Sequence, residues 1–188
     1  VNAASVLKIQ IVISIWYDEY GISVPAKYQT TKESISKALA GFEIDESGSG
    51  YYFHKIKGWD YLALCDAYMK GVVDVRKNHI PALYHITELT QPQGHSTSGS
   101  QERYKSKERL AWEAEYDCNK KMREWMIANH VITETMLEQI EKEDKEIVNE
   151  AKRIAFEAFL NPIKNGIAYV VPLLNEISIQ CSLGSEVA

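Results

Sequence analysis

Residues 9–15 gather Ile9, Ile11, Val12, Ile13 and Ile15 into one short apolar run that stops at the polar-aromatic stretch Trp16-Tyr17-Asp18-Glu19-Tyr20-Gly21. That is the pattern of a buried strand ahead of a turn, and residues 3–7 before it predict the tail of a helix. Residues 34–42 are Ala-rich with Ile35, Leu39 and Phe42 on one side, which predicts a helix closed near Gly41 and a loop over 46–50. Strand character resumes over 51–56. From a cap at Asp60, the positions Tyr61, Leu64, Cys65, Tyr68, Val72 and Val75 recur at helical spacing, so residues 60–77 predict a helix. Residues 80–86 read as a third strand. Strands alternating with helices, through connections of helical length, predict a parallel sheet layered by helices, an α/β core.

The pattern then changes. Residues 90–106 are rich in Gln, Gly, Ser and charge, too polar to bury a face, and predict a loop. Residues 107–129 predict helix in one or two pieces. A longer helix starts at Thr133 and carries Leu137, Ile140, Ile147, Val148, Ala151, Ile154, Ala155 and Phe159, with Glu and Lys filling the other face. Its apolar seam drifts towards a 3.6 period and is under four heptads long, which favours a helix packed on the domain over a coiled coil. Asn161-Pro162 is expected to stop it, leaving a weakly patterned end over 163–188.

Composition narrows the class. The chain of 188 residues is 45% hydrophobic and 25% charged, within the range of one globular domain. Its 21 Lys and Arg stand against 26 Asp and Glu, a formal charge of -5, which gives no general attraction to nucleic acid or anionic lipid. The longest apolar runs fall far short of the ~18 to 20 residues that cross a bilayer. Three cysteines, Cys65, Cys118 and Cys181, are too few and too dispersed for a disulfide framework or a zinc knuckle, and a reducing cytoplasm is expected. The chain starts at Val1 without a basic and apolar leader, as a fragment or processed product would.

Two segments carry candidate chemistry. The turn Asp18-Glu19-Tyr20-Gly21 follows a parallel strand, and the carboxyl edge of such a sheet is where cofactors bind. An Asp carboxylate and a backbone carbonyl two residues on offer two hard oxygens to Mg²⁺, which takes few protein ligands plus phosphate oxygens. The bland alternative is an Asp that caps its own turn, and on this pattern alone it is the commoner outcome. The loop Gly94-His95-Ser96-Thr97-Ser98-Gly99-Ser100 sets a histidine among small hydroxyl residues, donors able to close on a phosphate, or else an ordinary solvated loop. Arg103, Lys105, Lys107 and Arg109 follow, diluted by Glu102 and Glu108, and favour a solvated charged face over a polyanion site. His54, His79, His85 and His130 have no metal-ligand spacing. A dinucleotide fingerprint and a phosphate loop are both absent.

Taken in order, residues 2–8, residues 11–20, Tyr20-Gly21-Ile22-Ser23-Val24-Pro25, Gly94-His95-Ser96-Thr97-Ser98 and Tyr104-Lys105-Ser106 resemble the alpha part of the thiamine-diphosphate-dependent 2-oxo acid dehydrogenases, the decarboxylating first component of those complexes. The resemblance runs to about Pro162. It implies an α/β, parallel-sheet thiamine-diphosphate-binding fold, present in part and followed by a helical C-terminal part. Residues 1–106 would be the C-terminal half of that domain with its cofactor loop, 107–162 a helical extension of it, and 163–188 a tail or the start of a linker.

By the same resemblance, Asp18 matches the side-chain metal ligand and Tyr20 the residue whose carbonyl is the second ligand. His95 matches the loop histidine that approaches the diphosphate and is the implied catalytic residue. Ile22 and Ser96 join the cofactor-binding set, Ser96 being the serine phosphorylated in mitochondrial relatives, where a dianion would repel the cofactor. The implied cofactors are thiamine diphosphate and Mg²⁺. The implied reaction decarboxylates a 2-oxo acid and acylates the lipoyl group of an acyltransferase, with the activating glutamate supplied by a beta part and the enzyme working as an oligomer. The family has Asn where Asp18 and Tyr17 stand and acidic residues where Gly99 and Ser100 stand. Its Gly-Asp-Gly metal motif lies farther ahead of the turn than the seventeen residues present here, so no turnover is expected of this chain alone. Two other readings stay open: a noncatalytic interaction domain of the same fold, and a ketol-transferring thiamine enzyme of the transketolase type.

Overall fold

The computed structural model describes residues 1–95 and 100–180, in two compact units, residues 1–131 and 132–188. In the first, helix α1 (Asn2–Val6) leads to strand β1 (Val12–Trp16), then to a tight hairpin of β2 (Tyr20–Gly21) and β3 (Val24–Pro25). The short helix α2 (Ile35–Ala38) and strand β4 (Tyr52–Lys57) follow, then α3 (Tyr61–Asn78) and β5 (Ala82–Thr87). The unit closes with α4 (Lys107–Glu115) and α5 (Cys118–Ala128).

The three long strands form a parallel sheet in the order β1-β5-β4. The middle strand explains why the apolar pattern reads as continuous rather than alternating. Ala82, Leu83, Tyr84, His85 and Ile86 are all buried, as a parallel strand covered on both faces must be. Ile56, Val75, Ala82, Tyr84 and Ile86 make the core. Tyr84 lies between the rings of Tyr68 and His54, at 4.3 and 4.5 Å, and its hydroxyl donates to the Ala67 carbonyl at 3.0 Å. Helix α3 sits close to this ring because it has no side chain at Gly71, where a Cβ would collide with the Tyr84 hydroxyl. Asp60 starts the helix by accepting from the Ala63 N–H at 3.0 Å, as its sequence predicts.

Three expectations are corrected. Strand β1 begins at Val12, not Ile9, because residues 8–11 are used in the turn that leaves α1. The helix expected over 34–42 is a single turn capped by Ser34, followed by a 3-10 turn over Ala40–Phe42. Most of all, Asn161-Pro162 does not end the last helix: α6 runs as Glu134–Gln180 with Pro162 and Pro172 inside it. Proline loses a hydrogen bond there and crowds the preceding turn, but its fixed φ is itself helical, so the chain passes through. Helix α6 is exposed over almost its whole length, including Ile147, Phe156, Ile163 and Leu174. Among the described residues, no helix is long and apolar enough to cross a membrane.

Candidate functional site

The parallel sheet places its carboxyl ends together. Trp16 of β1 and Ile56 of β4 both stand beside Ile86 of β5, and the Tyr17 N–H donates to the Ile86 carbonyl at 2.8 Å. The turn after β1 and the long loop after β5 therefore leave from neighbouring strands at one edge. The end of β4 joins them: the Trp59 indole N–H donates to Glu88 Oε2 at 2.8 Å, and Lys57 pairs with Glu88 Oε1 at 3.3 Å.

Asp18 does what the bland alternative expects, since its Oδ1 accepts from the Tyr20 N–H at 3.1 Å. The other carboxylate oxygen has no partner among the described residues. Glu19 takes a left-handed φ of 69° to make the turn. The hairpin then decides where the Tyr20 carbonyl points. Gly21 faces Val24 across a two-residue tip, Tyr20 faces Pro25, and the Ala26 N–H donates to the Glu19 carbonyl at 2.8 Å. Bonded and non-bonded pairs alternate along an antiparallel ladder, so Tyr20 and Pro25 are a non-bonded pair, and proline has no N–H to offer in any case. The Tyr20 peptide oxygen is thus turned away from the ladder. Ile22 forms the exposed tip at a φ of 61°, a conformation unfavourable for a β-branched residue and of the kind that concentrates at functional sites.

His95 is exposed on the loop after β5, next to Gly94, whose φ of 71° turns the chain. Ser96 lies outside the described residues. The base of this loop is closed by Gln101, whose side-chain amide donates to the carbonyls of Gln91 at 3.2 Å and Pro92 at 2.7 Å. Asp18, Tyr20 and Ile22 are therefore on one turn and hairpin, and His95 is on a loop from the adjacent strand at the same edge.

The residues that tie turn to loop are ones the sequence reading assigned to a solvated face, and that expectation is corrected for two of them. Lys105 has a side-chain exposure of 5% and pairs with Glu113, at 4%, over 2.8 Å. Arg109 donates from Nε to Glu113 at 2.8 Å, from Nη1 to Glu19 at 2.6 Å and from Nη2 to the Asp18 carbonyl at 3.2 Å. Burial opposes its charge, but the carboxylates of Glu113 and Glu19 more than offset this, so the guanidinium is held above its ordinary pKa. Lys105 and Arg109 both lie against the Tyr20 ring, at 5.0 and 5.4 Å from its centre. Tyr104 packs on the same ring at 6.0 Å. The signal was present as a period of four over Gln101, Lys105, Arg109 and Glu113.

Behind the turn, His85 is buried and its Nδ1 lies 2.8 Å from the Ser36 hydroxyl, with Tyr17 edge-on at 5.1 Å. Burial pushes the imidazole below its ordinary pKa, Lys55 adds to this and Glu19 opposes it.

A hard divalent cation fits the donors at the turn: one carboxylate oxygen without a partner among the described residues and one peptide oxygen released by the hairpin, in number and kind what Mg²⁺ takes from protein when phosphate oxygens complete its shell. Comparison with known proteins bears on the family of the chain. The family described as the dehydrogenase E1 component matches residues 1–163. The chain is 27% identical over 150 residues to the pyruvate dehydrogenase E1 component subunit alpha of Rickettsia bellii, and 28% identical over 150 residues to that of Rickettsia conorii. In each case the match covers 80% of this chain and 43% of the relative, so the chain spans less than half the length of these relatives. With a family match over most of its residues, the chain belongs to the dehydrogenase E1 component family.

Proposed function

We propose that this chain contributes the diphosphate-anchoring part of a thiamine-diphosphate-dependent 2-oxo acid dehydrogenase, acting as its alpha part. The observation that carries the reading is the release of two hard oxygens, from Asp18 and from the Tyr20 peptide, at the sheet edge that also launches the His95 loop. Asp18 and Tyr20 would hold Mg²⁺. Ile22, at the hairpin tip, would line the cofactor, while His95, with Ser96 beside it in the sequence, would approach the diphosphate. The bound cofactor supplies the carbanion chemistry by which a 2-oxo acid loses CO₂ and its acyl group passes to a lipoyl disulfide, leaving one sulfur acylated and the other a thiol. This chain's part is to bind, orient and enclose. A beta part, on a separate chain or a later domain, would supply the activating glutamate, and a lipoyl-bearing acyltransferase would take the acyl group from the assembled oligomer. Free thiols at Cys65 and Cys118 suit a cytoplasmic setting for it.

Calorimetric titration of the full-length parent protein, assembled with its beta part, with thiamine diphosphate, with and without Mg²⁺, tests the reading. Binding should require Mg²⁺, and Asp18→Ala should weaken it at least about tenfold. Binding that ignores both the metal and Asp18 would overturn it, as would no binding at all.

A further inference from the structure

Outside the proposed ligands, the structure holds a hydrogen-bonded chain of side chains that reaches from the turn to both feet of the His95 loop. It starts at Glu19 and the Asp18 carbonyl, which Arg109 grips together. Arg109 shares Glu113 with Lys105, and Lys105 also donates to Gln101 Oε1 at 2.8 Å. Gln101 then uses its amide nitrogen on the carbonyls of Gln91 and Pro92, and its side chain packs against Gly94, the residue before His95, closely enough that a Cβ there would lie 3.3 Å from it. Every donor in it is a side chain carrying a charge or an amide, and the middle of the chain is buried. Buried polar networks with every member paired are rigid, because loosening one link leaves a desolvated charge without its partner.

The charges also match what the turn needs. Two cations, Lys105 and Arg109, face the Tyr20 ring, and Glu113 and Glu19 balance them one for one. A cation at the proposed metal position therefore meets no net positive charge from this network. In the sequence, Glu19 and Arg109 are 90 residues apart, so the contact belongs to the fold and not to local helix chemistry.

We propose that Glu19, Arg109, Glu113, Lys105 and Gln101 form a positioning relay that fixes the Asp18–Tyr20 turn and the base of the His95 loop relative to each other, so that neither can shift without the other. None of these residues is a catalytic residue. In its use for cofactor binding the relay rests on the function proposed above; as a mechanical link it does not.

Two variants at its ends keep the shared Glu113 in place, so that Lys105 and Arg109 each retain a carboxylate partner. Glu19→Gln disturbs the turn end and Gln101→Met, neutral and of similar length, disturbs the loop end. Amide hydrogen exchange of the ligand-free protein reads the link. Glu19→Gln should speed exchange at Gly94, Tyr104 and Lys105, and Gln101→Met should speed it at Tyr20 and Ala26, each by about tenfold, since coupling between sites is reciprocal. The double variant should add little to the larger single effect, and amides of β1 and β5 should not change. Changes confined to each variant's own end would overturn the relay, and so would purely multiplicative effects in the double variant. Titration with Mg²⁺ and thiamine diphosphate is the second arm, in which both single variants should weaken binding by similar factors. Wild-type protein that binds no cofactor would refute the proposed function, while the exchange data still decide the relay.

Discussion

Two arginine-centred ion systems in this molecule share an Arg–Glu pair of the same spacing and nearly the same length, and differ in burial and in what else they hold. Arg109 meets Glu113 four residues on at 2.8 Å, and Arg153 of α6 meets Glu157 four residues on at 2.7 Å. In the first system the side chains of Lys105, Glu113 and Arg109 are 5%, 4% and 19% exposed, whereas those of Arg153, Glu150 and Glu157 are all above half exposed. Distance therefore says little about what a pair contributes. Water screens the second system almost completely, while in the first each charge depends on its partner because solvent has been removed. The buried system also has a reason to be where it is, since it joins two segments of the proposed site, while the α6 system joins only residues of its own helix.

The largest test of that contrast is removal of the shared buried carboxylate. Glu113→Ala removes the carboxylate partner of buried Lys105 and leaves Arg109 with Glu19 alone, and loss of one partner from a buried pair costs about 3–5 kcal/mol. Urea unfolding, followed by a probe of the first unit, should show this as a lower midpoint at unchanged slope. A loss below about 1 kcal/mol, the range of exposed pairs, would erase the distinction between the two systems.

A smaller effect sharpens the same contrast through protons. His85 and His54 are both held below their ordinary pKa of 6.5 by burial, with Lys55 adding at His85 and with Glu19 and Asp74 opposing at the two rings. The unfolded chain therefore binds protons that the folded chain refuses. The stability these rings contribute is fully present above the unfolded value and is lost as pH falls through the lowered folded values. Urea midpoints measured from about pH 8 to about pH 5 should be flat at first and then decline, and His85→Gln should remove part of the decline. A midpoint that rises on acidification would contradict this burial assignment.

The sequence shows the fold better than it shows the network. Helix 60–77, the strand after Ile80 and the turn at Asp18 are all legible because each follows from local periodicity or from one residue's backbone chemistry. The end of α6 is misread because Pro162 is a strong local signal, yet its φ suits a helix and only one hydrogen bond is forfeited. Lys105, Arg109 and Glu113 are misread for a different reason. Charged residues four apart describe a solvated helix face and a buried ion ladder equally well, and the residue that settles the choice, Glu19, is distant in sequence. The Tyr20 carbonyl is half legible: the turn proposes it as a ligand, but its release from the ladder depends on pairing with Pro25, which only the hairpin's register supplies.

The smallest effect is expected where the pairing looks most complete. Arg153 donates from Nε and Nη2 to Glu150 and from Nη1 to Glu157, a forked geometry that in a dry site would be strong. On α6 the same fork stands in water, so replacing Arg153 by Gln exchanges protein contacts for hydration that is already available to both carboxylates. Thermal unfolding of Arg153→Gln should coincide with wild type in about 0.15 M salt, and any small difference at low salt should vanish as the Debye length shrinks. A shift that survives high salt would mean that this face of α6 is desolvated in the protein as it works. The exposed system would then belong with the buried one.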